Sequence, residues 1–513
     1  MKKEETAKIL DRVLEFSKNK GLFDCGIIVV GLSGGPDSVA LLHILKGLSD
    51  RGDINCGIRA FHCNHHLRPD VCDKEADMVR DLCQKLGIEL KVLDFDCKGF
   101  AEQNRISEET AGRVLRYEAF EQYALALENS YGKEVRIAIA HHRDDIAETM
   151  MMNLFRGAGL EGLVNPKPQA GRIIRPLLCV NKKELVDYLE CLGADYAVDQ
   201  TNLTTEGTRN TWRNDLLPKI GGYYKEDPSV PLTRTYKLLS DDLDLIDQLV
   251  KDAYSLNRRE LAGYPVLSVS GVEKLHPAVR SRVIRRLWLE TFGNLTDFEE
   301  THLSGAATLL ERDCEGELTL DMSFARKAYR HGDIFAFTEG DKTADLAGRI
   351  AEDMGFIVSQ DPVNIGIDLR DITKNSEICT KIPNSAINLK ARIIENKGDL
   401  EYNNLLWFCP FDVLQDGRIT LSNRNGIRSD LRMRKAGANG SKDLNRLMTD
   451  LKIPESSRGQ ILFIEDQGNV LWLPGFGHAA GFTNAVSRER YIASCNGEGS
   501  VPDTMIMFSI ERQ

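Results

Sequence analysis

Several features that mark other classes of protein are missing from this sequence. No run approaches the ~20 consecutive apolar residues of a membrane span, and the polar N-terminal residues lack the apolar segment of a signal peptide. The 12 cysteines are scattered, with no two closer than Cys56 and Cys63, and none forms a Cys-x-x-Cys pair. Zinc ribbons and iron–sulfur clusters are therefore disfavoured. We expect a cytoplasmic protein with reduced thiols and no membrane partner.

Low-complexity tracts and short repeats are also absent, and the chain has no overall positive charge. Its net charge of −11 argues against indiscriminate binding to nucleic acid, although a local basic surface can still attract phosphates. With 513 residues, the chain is long enough for three or four domains with separate cores.

The most informative stretch lies at residues 27–38. Four β-branched residues, Ile-Ile-Val-Val, run directly into Gly-Leu-Ser-Gly-Gly-Pro-Asp-Ser. The apolar run predicts a buried parallel strand, and Pro36, which lacks an N–H, suits the first turn of a following helix. A strand, a glycine-rich turn and a helix start together direct backbone N–H groups at an anion.

The side chains of this loop suit phosphates and a divalent cation. Ser33 and Ser38 add hydroxyl donors, and Asp37 supplies a carboxylate that can hold Mg²⁺ beside phosphates. No Gly-Lys-Ser/Thr follows the glycines, so the loop is not a Walker P-loop. Two glycines alone would indicate only an ordinary βα turn. The complete string Ser-Gly-Gly-x-Asp-Ser resembles the pyrophosphatase loop of ATP-dependent adenylating enzymes.

Histidines end the second predicted strand, at residues 58–68. His62, His65 and His66 could form a zinc site or simply a polar strand end. Zinc would need further ligands at suitable spacing, and a strand sends neighbouring side chains to opposite faces. A strand end beside the first βα loop is instead where an open α/β sheet holds a nucleotide.

Two adjacent carboxylates follow a later predicted strand, at residues 135–140. The string that follows begins with His141 and contains Asp144 and Asp145. Either aspartate alone could be a helix cap. The whole string at the carboxyl edge of the sheet favours a site that binds metal or positions a nucleophile.

Arginines recur in segments that suit anions. Arg113, Arg116 and Tyr117 can meet on one face of a helix that begins near Ser107, and we expect them to contact a triphosphate or RNA. Arg156 lies in a glycine-rich turn.

The next segments connect this region to the rest of the chain. Residues 175–178 are expected to form a short strand, and residues 181–191 a helix. Arg209 and Arg213 belong to a basic, aromatic helix start that we expect Pro218 to end. Residues 221–228 are expected to be a linker.

In content and order, these segments resemble the tRNA(Ile)-lysidine synthetase family over nearly all of residues 20–220. The matching segments lie at residues 33–38, 62–68, 113–117, 141–149, 153–163, 175–178 and 199–218. The resemblance implies an adenine-nucleotide α-hydrolase-like domain that uses ATP, Mg²⁺ and free L-lysine. Such enzymes adenylate the wobble cytidine of a CAU-anticodon tRNA(Ile), and the lysine ε-amino group then displaces AMP to give lysidine.

The resemblance also implies roles for the matched residues. The expected catalytic residues are Asp37, which is also the expected metal ligand, Arg113, Asp144 and Asp145. The expected ATP-binding residues are Ser33, Gly34, Gly35, Pro36, Asp37, Ser38 and His62. The expected contacts to substrate or tRNA are His141, Arg156, Arg209 and Arg213. Whether Asp144 or Asp145 orients the lysine amine is not decided by the sequence.

We expect an α/β N-terminal domain with a parallel sheet, a helical middle domain and a small mixed α+β C-terminal domain. The expected bounds are 1–220 for the catalytic domain, 221–339 for the tRNA-docking domain and 401–513 for the C-terminal tRNA-binding domain, with 340–400 unassigned. In the C-terminal domain, residues 433–439 depart from the Arg-Arg-Pro-Gly-Asp that relatives tend to carry.

The middle domain contains one basic helix face that we expect to contact tRNA phosphates. In residues 280–292, Arg282, Arg285 and Arg286 fall on the side opposite a predicted apolar face. A solvated arginine face is the ordinary alternative. The acidity of the chain as a whole makes this basic cluster more informative.

Other functions compete with this interpretation. A 2-thiocytidine synthase would share the loop but needs paired or cluster cysteines. An ATP-dependent amidotransferase or NAD synthase is also disfavoured, because we find neither a glutaminase-type nucleophile elbow nor an N-terminal cysteine. A non-catalytic tRNA-binding protein is disfavoured because Asp37, Arg113, Asp144 and Asp145 are all intact. Nucleoside analysis separates these outcomes.

Overall fold

The computed structural model describes most of the chain. The described residues are 2–64, 69–197, 208–295, 298–314, 316–395, 405–410, 414, 416–424, 431–434, 440–479 and 504–512. His65, His66, residues 199–202 and residues 435–439 lie outside them. The chain forms two compact units, Met1–Leu245 and Ile246–Gln513.

The first unit alternates strands and helices, as the sequence predicts. Its elements are α1 (Lys2–Asn19), β1 (Ile27–Gly31), α2 (Pro36–Asp50), β2 (Gly57–Asn64), α3 (Pro69–Leu86), β3 (Glu89–Asp94), α4 (Cys97–Asn104), α5 (Glu108–Tyr131), β4 (Val135–Ala138), α6 (Arg143–Phe155), α7 (Leu160–Leu163), β5 (Gln169–Ala170), β6 (Ile173–Ile174), α8 (Lys182–Leu192), α9 (Thr208–Thr211), α10 (Leu217–Tyr224) and α11 (Ser229–Asn257). Helix α11 extends into the second unit.

Six strands of this unit form one sheet in the order β3-β2-β1-β4-β6-β5. All neighbouring pairs are parallel except β5 with β6. The strand order changes direction at β1, between β2 and β4. In open α/β sheets, ligands bind at the carboxyl edge beside such a change of direction. The α/β N-terminal fold with a parallel sheet is therefore confirmed.

Strand β1 is buried on both faces because helices cover both sides of the sheet. Ile28 and Val30 join a core with α1, α2 and α8, whereas Ile27 and Val29 pack on the other face with residues of α5. Successive strand residues point to opposite faces, so a run of four apolar residues serves both cores. This burial fixes the position at which the chain enters the glycine-rich turn.

Three local predictions for this unit were wrong, and proline explains two of them. Residues 175–178 do not form a strand, because Pro176 cannot donate a ladder hydrogen bond and starts a 3₁₀ helix, Pro176–Cys179. Pro218 does not end a helix. It occupies the first turn of α10, which follows directly on a π-helical segment, Trp212–Leu216. The expected linker at residues 221–228 begins with the end of α10.

The second unit contains a helical region followed by strands. Its elements are β7 (Arg258–Leu261), β8 (Tyr264–Ser268), α12 (Val269–Glu273), α13 (Pro277–Phe292), α14 (Glu300–Glu311), β9 (Glu317–Asp321), β10 (Arg326–His331), β11 (Ile334–Glu339), α15 (Thr343–Asp353), β12 (Asn364–Asp368), β13 (Glu377–Lys381), β14 (Ile387–Glu395), β15 (Leu406–Pro410), β16 (Arg418–Ser422), β17 (Arg432–Met433), β18 (Lys442–Asp443), α16 (Leu444–Asp450), β19 (Phe463–Asp466), β20 (Asn469–Leu473), β21 (Gly477–His478) and β22 (Thr504–Arg512).

The helical middle region is confirmed, and it also contains a five-stranded antiparallel sheet, β7-β8-β11-β10-β9. The unassigned residues 340–400 contribute strands to two sheets that they share with the C-terminal residues. Strand β12 pairs with β16, and β14 pairs with β22. The described strands between residues 364 and 395 are therefore part of the C-terminal fold, whereas Leu346 and Ile350 of α15 pack against the sheet of the middle region. Among the described helices, none is long and apolar enough to cross a membrane.

Candidate active site

The glycine-rich loop joins β1 to α2 at the carboxyl edge of the sheet. Gly34 adopts φ +88°, a conformation that a residue with a Cβ rarely adopts. Gly35 is the N-cap of α2 and provides no side-chain hydrogen bond to the first turn. The N–H groups of this helix start are therefore available to an anion.

Two serines hold the loop in shape. The Ser38 hydroxyl accepts a hydrogen bond from the Ser33 backbone N–H at 3.2 Å and donates one to the Gly35 carbonyl at 3.0 Å. The two hydroxyl oxygens lie 3.1 Å apart. Ser38 is buried and shapes the turn, whereas Ser33 is exposed and could also donate to a ligand. Pro36 occupies the first helical position, as predicted.

Asp37 has one carboxylate oxygen that is buried and, among the described residues, has no hydrogen-bond partner. Its other oxygen lies 3.7 Å from Nε2 of His142. No group of three or more acidic, histidine or cysteine side chains in the described residues could hold a metal. Mg²⁺ commonly takes only one or two carboxylates and completes its ligands with phosphates and water. The unpartnered oxygen of Asp37 fits such a ligand.

His62 is buried at the carboxyl end of β2. Its Nδ1 lies 2.8 Å from the Leu32 carbonyl, so this nitrogen carries the proton and donates it to the backbone at the start of the loop. Burial lowers the pKa of His62, and the neutral ring predominates at neutral pH. In this structure, His62 supports the loop backbone.

The two adjacent aspartates have different surroundings. Asp145 is buried, and it accepts the His142 backbone N–H at 2.8 Å in the first turn of α6. Asp144 accepts the backbone N–H of Lys182, the first residue of α8, at 2.8 Å. The Asp144 carboxylate also lies 3.2 Å from Nδ1 of His142.

A buried carboxylate that the sequence interpretation overlooked completes this cluster. Glu148 binds both predicted arginines: Arg209 Nε donates to it at 2.8 Å and Arg213 Nε at 2.6 Å. The same two guanidinium groups also donate to Asp145 Oδ1, at 2.7 and 3.1 Å. Glu148 lies three residues after Asp145, and this helical spacing could have identified it.

The remaining predicted site residues of this unit are His141, Arg113 and Arg156. Arg175 donates through Nε to His141 Nδ1 at 2.9 Å. Arg113 is exposed and stacks over Tyr117, with its guanidinium carbon 5.4 Å from the ring centre, as the helix spacing predicts. Arg156 is exposed at the C-cap of α6, away from the helix end that carries the aspartates.

The neighbouring histidines have opposite pKa shifts. Burial lowers the pKa of His141 to about 4, so its ring is neutral and accepts from Arg175. Burial also opposes protonation of His142, but the carboxylates of Asp145, Asp144 and Asp37 outweigh it and raise the pKa of His142. The His141 ring is therefore an uncharged acceptor, whereas three carboxylates favour the charged form of His142.

These shifts predict a pH dependence with a defined sign. An unfolded histidine titrates near 6.5, so His141 binds more protons in the unfolded state between pH 6.5 and about 4. The free energy of unfolding should fall as the pH drops through this range. For His142 the sign is opposite, because its pKa is higher in the folded state than in the unfolded state. Its contribution to the free energy of unfolding is complete below pH 6.5, the unfolded pKa, and is lost as the pH rises through the folded pKa. NMR titration of the two rings measures both values.

The variant His141→Gln provides the check on this assignment. Glutamine can still accept a hydrogen bond from Arg175 but does not titrate. Its unfolding free energy should therefore lose the part of the pH dependence that lies between 6.5 and 4. A wild-type His141 ring that titrates at or above 6.5 would contradict the structure.

A cavity of about 290 Å³ opens beside the aspartates. Its charged lining residues carry both signs and are His142, Asp144, Glu148, Lys182, Arg213 and Asp227. Leu217 and Pro218 supply an apolar wall. Its volume is near the lower end of the range for small-molecule pockets. A small molecule that carries both ammonium and carboxylate groups matches this lining.

The predicted apolar face of α13 is confirmed: Val283, Ile284, Leu287 and Trp288 are fully buried. The three arginines opposite have intramolecular partners. Arg282 donates to the Ala278 carbonyl at 2.8 Å and Arg285 to Glu300 at 3.2 Å, and Arg286 stacks 4.9 Å above Tyr254.

Comparison with known proteins finds a matching family model in each half of the chain. Residues 5–220 match the family model of a PP-loop domain, and residues 419–493 match the model of the TilS substrate C-terminal domain. A Clostridium acetobutylicum protein named tRNA(Ile)-lysidine synthase is 30% identical over 470 residues, covering 91% of this chain and 95% of that protein. A Bacteroides thetaiotaomicron protein of the same name is 41% identical over 248 residues, covering 48% and 55% of the two chains.

A solved TILS C-terminal domain is similar over 29% of this chain and 98% of its own length, at 17% identity and a TM-score of 0.22. The relative that aligns over nearly its full length is the more informative match, because it spans both ends of the chain.

Proposed function

The chain belongs to the tRNA(Ile)-lysidine synthase family and is a PP-loop ligase that uses ATP, and from this premise we propose that it joins free L-lysine to the wobble cytidine of a CAU-anticodon tRNA(Ile). The proposed bond forms at carbon 2 of the base, through an adenylated tRNA. The observation that carries the proposal is the buried oxygen of Asp37 at the start of α2, which has no hydrogen-bond partner among the described residues. The other Asp37 oxygen lies 3.7 Å from His142, which lines the cavity together with Asp144. ATP and tRNA are cytoplasmic, and we propose that compartment for the reaction.

In the proposed first half-reaction, the cytidine O2 attacks the α-phosphorus of ATP and pyrophosphate leaves. Negative charge accumulates on the phosphoryl oxygens as this bond breaks. The N–H groups of the α2 start and the Ser33 hydroxyl are oriented toward such charge before the reaction begins, which lowers the cost of reorganisation. Asp37 would hold Mg²⁺, which supplies positive charge at the phosphates. The exposed guanidinium of Arg113 is a further candidate to bind the triphosphate.

In the proposed second half-reaction, the lysine ε-amine attacks carbon 2 and AMP leaves. The attacking group must first lose a proton, since a free lysine ammonium has a pKa of roughly 10.4. We propose that Asp144 orients this amine, because Asp145 already accepts from His142, Arg209 and Arg213. Burial opposes ionisation of Asp144, but His142 and the Lys182 backbone N–H lower its pKa overall. Asp144 is thus a charged acceptor that can position the amine.

The other end of lysine can be bound by the cations of the same cavity. Lys182 and Arg213 both line it and would attract the α-carboxylate. Arg213 is fixed by Glu148. Burial opposes its charge, but the carboxylates of Glu148, Asp145 and Asp37 outweigh burial and raise the pKa of Arg213. An amino acid would therefore lie with its amine toward Asp144 and its carboxylate toward these cations.

We further propose that the arginine face of α13 contacts tRNA phosphates. The triple variant Arg282→Gln, Arg285→Gln and Arg286→Gln should raise the tRNA dissociation constant and flatten its salt dependence by about one counterion for each phosphate that is no longer bound. Arg280→Gln is the matched control, because Arg280 is on the same helix and pairs with Glu311 at 2.6 Å. If the folded triple variant keeps the wild-type salt dependence of tRNA binding, these arginines do not contact tRNA phosphates.

Nucleoside analysis tests the proposed function. Purified protein is incubated with ATP, L-lysine and a CAU-anticodon tRNA(Ile) transcript, and the digested RNA is analysed by mass spectrometry. We expect lysidine, together with AMP and pyrophosphate in equal amounts. A parallel reaction that contains a sulfide donor in place of lysine tests the alternative tRNA-modifying enzyme, which would form 2-thiocytidine. Unmodified cytidine with intact tRNA binding would support a non-catalytic binding protein.

A further inference from the structure

An aromatic residue at the far end of α6 is left exposed by the fold. Phe155 has 74% of its surface exposed, and its neighbours Leu154 and Arg156 are exposed as well. The ring of the buried Trp212 lies 5.3 Å from that of Phe155, tilted by 43°. We call the exposed ring and its neighbours Leu154 and Arg156 the Phe155 platform.

The platform lies on the same helix face as the site residues. Glu148 and Phe155 are seven residues apart, which is close to two full helical turns, so their side chains project in nearly the same direction. At 1.5 Å per residue, the two positions are separated by about 10 Å along the axis of α6. Asp144 lies four residues before Glu148 and shares this face.

Trp212 connects the platform to the arginine cluster. It belongs to the π-helical segment that also carries Arg213, whose guanidinium group binds Glu148 and Asp145. Trp212 packs in a core with Ala147 and Leu217, two residues that also line the cavity. The ring that supports Phe155 is therefore fixed by the same elements that shape the site, which holds the platform in a defined place relative to the cavity.

We propose that the Phe155 platform stacks an unpaired base of the tRNA anticodon loop within about three nucleotides of the base that reacts, an inference that rests on the proposed function. Proteins that recognise RNA loops stack splayed bases on aromatic side chains and on arginine. At about 3.4 Å per stacked nucleotide, 10 Å corresponds to roughly three nucleotides along the strand. A base near the reacting cytidine therefore falls within reach of Phe155.

The chemistry of the platform favours a base over a phosphate or a protein side chain. A phosphate would use Arg156 but not the phenyl ring. Single exposed apolar residues are common on protein surfaces, but Phe155 is supported by a second aromatic ring, and edge and tilted pairs of this kind hold a ring in place. An oriented, exposed π-face beside an arginine is the arrangement used by sites that bind single-stranded RNA.

The test measures the binding of a CAU anticodon stem-loop RNA to three variants of Phe155. Phe155→Ala should raise the dissociation constant roughly 5- to 100-fold, the range expected for one base–aromatic stack. Phe155→Trp, which keeps an aromatic ring, should bind the RNA about as tightly as the wild type. Phe155→Leu, which keeps an apolar side chain without a π-face, should not. The affinity for ATP should not change in any of them.

A fluorescent base gives a readout that a merely structural role would not change. 2-Aminopurine is placed in turn at the middle anticodon position and at the other purine positions of the loop. Wild-type protein should quench one of these positions by stacking, and Phe155→Leu should not. Phe324→Ala is the matched control, because Phe324 is 73% exposed and belongs to the second unit.

The outcomes separate this inference from the proposed function. If the wild-type protein makes lysidine but Phe155→Leu binds and quenches like the wild type, the platform does not stack a base. If the affinity that Phe155→Ala loses is fully restored by leucine, the contact is only apolar, as a protein partner would also make. If the wild-type protein makes no lysidine, the proposed function is wrong, and the inference that rests on it is wrong as well.

Discussion

Replacing Asp37 with alanine should abolish AMP formation while leaving the protein folded. Asp37 lies in the first turn of α2, where a carboxylate contributes only about 0.3–1 kcal/mol through the helix dipole. One of its oxygens is buried without a hydrogen-bond partner among the described residues, so the fold itself loses little when it is removed. A ligand to the metal of a phosphoryl transfer is worth several kcal/mol to the transition state. We expect single-turnover adenylation to fall by at least about 100-fold.

A control in the same kind of position separates catalysis from stability. Glu108→Ala removes a first-turn carboxylate from α5, and it should cost similar stability with normal AMP formation. Asp37→Asn keeps the size of the side chain but removes its charge, and it should resemble Asp37→Ala in activity. Near-normal AMP formation by folded Asp37→Ala protein would show that Asp37 has no role in adenylation.

The structural features that the sequence predicted correctly share a local cause. The string around Asp37 combines a buried strand, two glycines and a helix start, and each of these is specified by neighbouring residues. Ser107 is the N-cap of α5, as predicted, and its hydroxyl accepts the Thr110 N–H at 3.2 Å. Arg113 stacks on Tyr117 because four residues along a helix bring two side chains together. Patterns of this length can be recognised in a sequence without a structure.

The residues that the sequence missed depend on contacts between distant segments. The spacing of Glu148 from Asp145 could have marked it as a site residue, but its partner Arg209 lies 61 residues further along the chain, and periodicity within α6 carries no information about that contact. Lys182 enters the site through its backbone N–H, which every residue except proline has. The π-helical segment was missed because Pro218 by itself indicates a helix end, whereas its ring fits the first turn of the helix that follows. In these cases, packing between segments decides the structure against the local sequence pattern.

The two adjacent aspartates should fail in different ways when each is changed to asparagine. Asp144→Asn keeps an acceptor for the Lys182 N–H but removes the charge that would orient the lysine amine. We expect adenylated tRNA to accumulate and lysine transfer to fall by about 10²–10⁴, the usual contribution of such a group. Asp145→Asn removes the charge that Arg209 and Arg213 share, and should cost about 1.5–3 kcal/mol of stability. Both half-reactions should then weaken.

Single-turnover experiments with and without lysine distinguish the two cases. For Asp144→Asn, tRNA-bound AMP should form at near wild-type rate and persist after lysine is added. For Asp145→Asn, and for Glu148→Gln, which removes charge from the same pair of arginines, less AMP should form in the first place. Asp187→Asn is the control, because Asp187 forms an exposed pair with Lys183 on α8.

If Asp145→Asn alone blocks lysine transfer, the roles are reversed, because the buried carboxylate then acts on substrate. If both variants keep both rates, the pair supports only the fold, and the cavity beside Asp144 does not bind lysine.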